Sequence, residues 1–347
     1  MIDGPARILI ATDAGRPQVN GVVRTLGRVT AELRRAGHRV RMIEPRLFRT
    51  LPCPSYPEIR LAIRPYARCR RLIEQFRPTA IHIATEGPIG RAARRYCLER
   101  GLPFTTAYHT RFPEYIQART GLPVALGYAA MRGFHAPSAG VMVATETIEN
   151  ELSRRGFRNI RRWTRGVDTD LFRPRAEPFL DLPRPIHLYV GRVAVEKNID
   201  AFLGLPLPGS KLVVGDGPAR AGLERRHPDA VFVGAKGGEA LARHYAAADL
   251  FVFPSRTDTF GLVLLEALAS GLPVAAFPVP GPLDVIAGSG CGVLDEDLGR
   301  AVAGARRISG LRCRGHALRY SWPHSASQFA ANLVPVTRLA RSALARG

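Results

Sequence analysis

ARILIATDAGRPQVNGVVRTLGRVTAELRRAGHRVRMIEP, residues 6–45, decides the fold. Residues 6–12 form a short, nearly all-apolar run that predicts a buried strand. Over 22–37 the apolar residues recur with helical spacing, predicting an amphipathic helix stopped by Gly37, and 38–45 predicts the next strand. The same strand, helix, strand order returns in TAIHIAT (79–85), GRAARRYCLERG (90–101) and PFTTAYHT (103–110). A second series runs through PIHLYVGR (185–192), SKLVVGDG (210–217), AVFVGA (230–235), ADLFVFPS (248–255) and LPVAAFP (272–278). Apolar strands alternating with helices imply parallel sheets covered on both faces, so two series imply two doubly wound α/β domains in tandem.

The length of 347 residues exceeds what one core usually serves, in agreement with two domains. A proline-rich, aperiodic join marks the boundary. The expected organisation is a first domain over 1–167, a linker over 168–185, a second domain over 186–322 and a tail over 323–347 that crosses back to the first domain. Ligands of such sheets sit at the carboxyl ends of strands, so the expected active site is a cleft between the domains.

The net charge of +21 calls for a polyanionic partner or an explanation. Only three basic residues are Lys (Lys197, Lys211, Lys236), and residues 1–167 hold 29 Arg against 12 Asp and Glu, a net +17 that leaves +4 for the rest. Nucleic acid and anionic lipid are the candidates. The chain lacks zinc-finger spacing and RNP-type aromatic motifs, which argues against nucleic acid. No apolar run reaches the roughly 18–20 residues of a membrane span, and the first residues do not resemble a signal peptide. The expected location is the cytoplasm, with peripheral attachment to the inner face of the cytoplasmic membrane. Five scattered cysteines without a C-x-x-C pair read as reduced and structural, with no metal site implied. IRLAIRPYARCRRLIEQF (59–76), taken as one helix, puts Arg60, Arg64, Arg68 and Arg71 on one stripe. That stripe suits either an anionic bilayer or plain solvent.

Several strand ends carry chemistry-bearing residues. Asn20-Gly21 lies between the first strand and helix, where a glycine lets backbone amides approach a phosphate or simply makes a turn. LYVGRVAVEKN (188–198) delivers Arg192 and Lys197 to one loop, a pair suited to a diphosphate or to solvent. VVGDGP (213–218) and FVGAKGG (232–238) are Gly-rich turns whose backbone could face a nucleotide base, which brings in Gly215, Val233, Gly234 and Lys236. TDTFGLVLLEAL (257–268) predicts a helix starting near Asp258, with Ser255, Thr257, Asp258 and Thr259 as cap candidates and Gly271 past its end. Glu266 is then an acid inside an apolar stretch, which is costly unless it is paired or used.

D-T-F-G-L-V-L-L-E, together with V-G-R-x4-K, G-D-G-P and N-G-V, resembles the retaining glycosyltransferases of family four, across residues 6 to about 332. The resemblance implies the GT-B fold and a nucleotide-sugar donor as substrate, with neither cofactor nor metal. It implies that Arg192 and Lys197 bind the donor diphosphate and that the Gly21 amide touches its distal phosphate. It further implies that Glu266 holds the ribose and that Asp258, Phe260, Gly261 and Leu262 face the sugar. His109 falls where the family places an active-site histidine, so His109 and Asp258 are the expected catalytic pair. FTTAYHTRFPEY and IRRWTRGVDTDLFRP are similar to the branch that glycosylates diacylglycerol, including sulfoquinovosyl and glucuronosyl diacylglycerol synthases. The implied reaction moves glucuronic acid or glucose from a UDP-sugar to a membrane lipid acceptor. The alternative is a GDP-mannose-dependent mannosyltransferase acting on a glycolipid or polysaccharide precursor. The chain departs from the family in having Asp rather than Glu at 258, and VPGPLDV at 279–285.

Overall fold

The structure, a computed structural model, describes residues 4–15, 18, 20–53, 56–176, 179–256 and 260–336, the side chains of 56–58, 115, 118 and 119 excepted. The chain divides into two compact units, one taking it up to Thr164 and again from Trp322 onward, the other Arg165–Ser321.

In the first unit the strands are β1 (Arg7–Ala11), β2 (Arg39–Ile43), β3 (Thr50–Cys53), β4 (Tyr56–Ala62), β5 (Ala80–Ile83), β6 (Thr105–Ala107), β7 (Gly140–Val143) and β8 (Ile160–Arg162). Six of them form one all-parallel sheet in the order β2-β1-β5-β6-β7-β8. β1 and β5 are buried at almost every position, and Leu9, Ile81 and Ile83 meet Ile73, Ile89 and Tyr96 from the covering helices. The helix between β1 and β2 spans Gly21–Arg35 and turns its Leu26, Val29 and Leu33 inward.

The second unit holds β9 (Ile186–Val190), β10 (Ser210–Val214), β11 (Val231–Phe232), β12 (Leu250–Phe253), β13 (Val274–Ala276) and β14 (Gly292–Leu294). They pair in parallel in the order β11-β10-β9-β12-β13-β14, the doubly wound arrangement with its reversal at β9. Its core gathers Tyr189, Phe202, Val213, Val252, Phe277 and Val302.

The structure corrects the expected 59–76 helix. Residues up to Ala62 belong to β4, an antiparallel partner of β3, and the helix runs only from Tyr66 to Phe76. Arg60 is spent on the hairpin, where its Nη2 donates to the Thr50 carbonyl at 3.1 Å, and Arg64 sits in a left-handed turn (φ 45°). Pro65 explains the break, since its ring suits the entry of a helix and disfavours helical backbone in the residue before it. Arg68 and Arg71 alone share the helix, so the four-residue stripe does not exist.

The last described helix, Trp322–Asn332, belongs to the first unit. Arg161 Nη1 donates to its Asn332 carbonyl at 2.7 Å, and Asn332 Nδ2 returns a bond of 2.7 Å to the Arg162 carbonyl. Beyond the helix, Val336 N donates to the Thr79 carbonyl, adding a short stretch of chain beside β5.

Two strand exits of the second unit touch with no room to spare. A Cβ on Gly215 would lie 1.8 Å from the Gly191 carbonyl oxygen. Gly215→Ala is therefore expected to destabilise the chain by roughly 2–3 kcal/mol, because backbone rather than a side-chain tip must move. Gly133→Ala, in a helix with open space around it, should stay within about 1 kcal/mol of the parent or stabilise it. Urea denaturation of both variants measures the contrast, and equal midpoints would contradict the close-approach argument.

Candidate active site

Parallel pairing of β9 with β10 and β12 sets three strand exits side by side in the second unit. The strand order reverses between β9 and β12, and the crevice at such a point is where open α/β sheets bind ligands. The cation-bearing loop leaves β9 here. The Tyr189 hydroxyl donates to the Arg192 carbonyl at 2.9 Å, and Val193 N donates to the Asp216 carbonyl at 2.9 Å. A short turn over Val195–Lys197 follows, ending at Asn198 in the left-handed region (φ 54°). Asn198 Nδ2 reaches across to the Pro254 carbonyl at the exit of β12, 3.2 Å away. The loop that carries Arg192 and Lys197 is thus tied to both neighbouring strands.

The helix after β12 starts at Leu262, where the helix-forming run LVLLEALAS begins. Its N-cap is Gly261 in the left-handed region (φ 77°), and no described side chain caps it. Asp258, with Thr257 and Thr259, lies outside the described residues, while Ser255 is buried with its Oγ lacking a hydrogen-bond partner. A first turn that no described side chain caps, at the positive pole of its helix, suits an anion. Phe260 is buried, and a Cβ on Gly281 would lie 2.5 Å from its carbonyl oxygen, so the unusual 279–285 segment packs directly on this loop.

Glu266 is buried on that helix among Leu264, Leu265 and Leu268. Its Oε2 accepts a hydrogen bond from the Tyr245 hydroxyl at 3.0 Å. Tyr245 is itself buried and packed edge-on against Phe172, which makes it a rigid support. Of the residues expected near the base, Gly215 N donates to the Gly234 carbonyl at 3.0 Å and Val233 N to the Val213 carbonyl at 3.1 Å, while Lys236 is exposed. The structure thus gathers these residues at neighbouring strand exits and gives Gly215 a packing role as well.

In the first unit, Gly21 is the exposed first residue of its helix, and Asn20 Oδ1 caps that helix by accepting from Val23 N at 3.0 Å. Behind it Asp13 is buried at the reversal between β1 and β5. It accepts from Ile89 N at 2.8 Å, from Gly90 N at 3.2 Å and from the Thr85 hydroxyl at 2.8 Å. Burial raises the Asp13 pKa while those three donors pull it down. His109 follows β6 on the same edge of the sheet. Its ring meets Trp163 edge-on at 5.7 Å, and its Nε2 is shielded from solvent. Trp163 Nε1 donates to Ser325 Oγ at 3.1 Å, and that hydroxyl donates to the Thr164 carbonyl at 2.7 Å. The returning helix Trp322–Asn332 therefore sets the indole that backs His109.

Sequence reasoning missed Tyr189, Asn198, Tyr245, Trp163 and Ser325 as supports. Asn198 carried a usable signal, since asparagine is among the few residues that enter the left-handed region readily. Among the described residues no three His, Cys, Asp or Glu gather as a metal site would require.

Residues 19–171 match Glycosyltransferase Family 4, and residues 184–308 match Glycosyl transferases group 1. A GDP-mannose-dependent alpha-mannosyltransferase from Mycobacterium tuberculosis is 32% identical over 355 residues, covering 91% of this chain and 93% of that protein. The chain belongs to glycosyltransferase family 4. This glycosyltransferase is also 28% identical to an alpha-monoglucosyldiacylglycerol synthase from Streptococcus pneumoniae, over 79% of the chain and 71% of the relative. A sucrose-phosphate synthase from Thermosynechococcus elongatus superposes with a TM-score of 0.73 at 23% identity, covering 98% of this chain and all of that one, which establishes the GT-B fold.

Asn198→Ala should unhook the glycosyltransferase's cation loop from β12. One lost hydrogen bond, about 1 kcal/mol, predicts a rise in donor KM of roughly fivefold to tenfold with little change in melting temperature. Steady-state kinetics beside a thermal melt checks this, and an unchanged KM would remove Asn198 from the site.

Proposed function

We propose that the enzyme transfers a hexose, with retention of configuration, from a nucleoside diphosphate sugar to a hydroxyl of a lipid acceptor. The observation that carries the donor half is the union, at one strand reversal, of a loop bearing Arg192 and Lys197 with the N-terminus of the helix that begins at Leu262. Arg192 binds phosphate oxygens in a planar fork and Lys197 adds a point charge, while the amides after Gly261 face the remaining negative charge. Glu266, held by Tyr245, accepts from the ribose hydroxyls. Ser255 and the chain around Asp258 contact the sugar, and Gly21 and His109 keep the roles the family resemblance implies, at phosphate and sugar. As the bond from the sugar to the diphosphate breaks, positive charge develops on the ring. The leaving phosphate and the surrounding dipoles stabilise it without an enzymic nucleophile.

The acceptor half rests on the basicity of the first 167 residues and on similarity to a relative named as a diacylglycerol glucosylating enzyme. For the donor, a UDP-sugar follows from the lipid-glycosylating resemblance. GDP-mannose has equal support, because a relative named for that donor matches nine-tenths of the chain.

Purified enzyme incubated with radiolabelled UDP-glucose, UDP-glucuronate or GDP-mannose and diacylglycerol-containing vesicles should label the lipid fraction from one donor. Label from none would end the lipid-acceptor reading. With the active donor, Glu266→Gln keeps an acceptor for Tyr245 but loses the charge, and should raise donor KM by about tenfold to a hundredfold. A variant with parental kinetics would place the ribose elsewhere.

A further inference from the structure

The two helices that follow His109, Phe112–Thr120 and Val124–His135, form a hairpin with a polar cluster beneath it and large apolar side chains exposed on it. Arg111, Glu114 and Tyr128 point inward. Arg111, just before the first helix, bonds Glu114 Oε1 at 2.9 Å and Glu151 Oε1 at 3.0 Å, and the Tyr128 hydroxyl donates to the same two oxygens at 2.7 and 3.0 Å. The Arg155 guanidinium closes the cluster by stacking 3.7 Å from the Tyr128 ring. Met131 and Tyr128 pack inward, but Phe112 is 40%, Ile116 44%, Leu122 52% and Leu126 63% exposed. Ala129 and Ala130 continue the same surface, and Arg132 is the one exposed charge among the described side chains from Phe112 to Gly133.

Contiguous apolar surface of this kind on a soluble fold marks an interaction site. The arrangement is more pointed here because it interrupts an otherwise arginine-dense half-chain of net +17. Basic residues also meet the hairpin's far end, where Arg94 donates to the Gly133 and Phe134 carbonyls at 3.0 and 2.9 Å, and Arg132 to the Arg155 carbonyl at 3.0 Å. A second copy of this chain would bring like charge against like charge. An anionic bilayer offers hydrocarbon for the apolar face and phosphate for the arginines.

We propose that the outward face of this hairpin, built on Phe112, Ile116, Leu122 and Leu126, seats the enzyme on an anionic membrane. The proposal deepens the lipid-acceptor reading and rests on it: the seat begins three residues beyond His109, so a lipid in that membrane is presented close to that histidine. It replaces the arginine stripe over 60–71 as the membrane-facing element.

The test is co-sedimentation of the full chain with vesicles of phosphatidylcholine alone or with phosphatidylglycerol, without donor. The parent should partition to the anionic vesicles at least about tenfold better than to neutral ones, and Ile116→Glu/Leu126→Glu should lose about tenfold or more of that partitioning. Both positions are exposed, and a thermal melt should show the fold intact. Equal sedimentation of variant and parent would overturn the proposal. So would a parent that dimerises through this face, shown by a variant that becomes monomeric while its vesicle binding is unchanged. A parent that binds vesicles through these residues but labels no lipid upholds the seat and sinks the acceptor reading. One that labels lipid in detergent micelles but ignores anionic vesicles sinks the seat alone.

Discussion

β9 pairs in parallel with β10 on one side and β12 on the other, and that common direction governs everything else in the second unit. Three chain exits must share one edge, at strand spacings of about 5 Å, so their turns compete for the same space. The chain meets the crowding with backbone contacts where side chains would collide. Gly215 lies on the Gly191 carbonyl, and Val193 N bonds the Asp216 carbonyl. Once the exits are locked, one side-chain amide, that of Asn198, suffices to fix the cation loop against β12.

The first unit solves a similar problem with side chains. Asp13 takes two backbone amides of the helix after β5, holding the reversal between β1 and β5 closed. Trp163 and Ser325 are distant in sequence yet bonded, and they place an indole behind His109. The returning helix therefore does more than cover the sheet. It completes the wall of a residue that the strand β6 delivers.

How far the sequence discloses this depends on the range of the interaction involved. The 6–45 stretch was readable because strand apolarity, helical period and Gly37 agree within forty residues. A 59–76 helix does not form because the covalent geometry of Pro65 sets the helix start, whatever the spacing of the arginines around it. The helix LVLLEALAS is legible from propensity, and it starts at Leu262 behind Gly261, whose left-handed entry a glycine reaches without strain. Supports such as Tyr245 under Glu266 and Ser325 under Trp163 carry no local pattern at all, since each joins residues brought together only by the finished fold.

Glu266 shows how function is visible as a cost to stability. The helix Leu262–Ala269 is apolar almost throughout, and a leucine at 266 would continue its packing without desolvating a carboxylate. The Tyr245 hydroxyl offsets part of that expense, as a hydrogen bond to a charged group contributes about 1–3 kcal/mol. An acid at this strand reversal suits the ribose contact proposed for it. The apolar face of the 112–135 hairpin makes the complementary case, as surface that the fold leaves in water although its own polar cluster lies beneath. In each place the chain puts the wrong polarity for stability alone, and both places lie next to a strand exit.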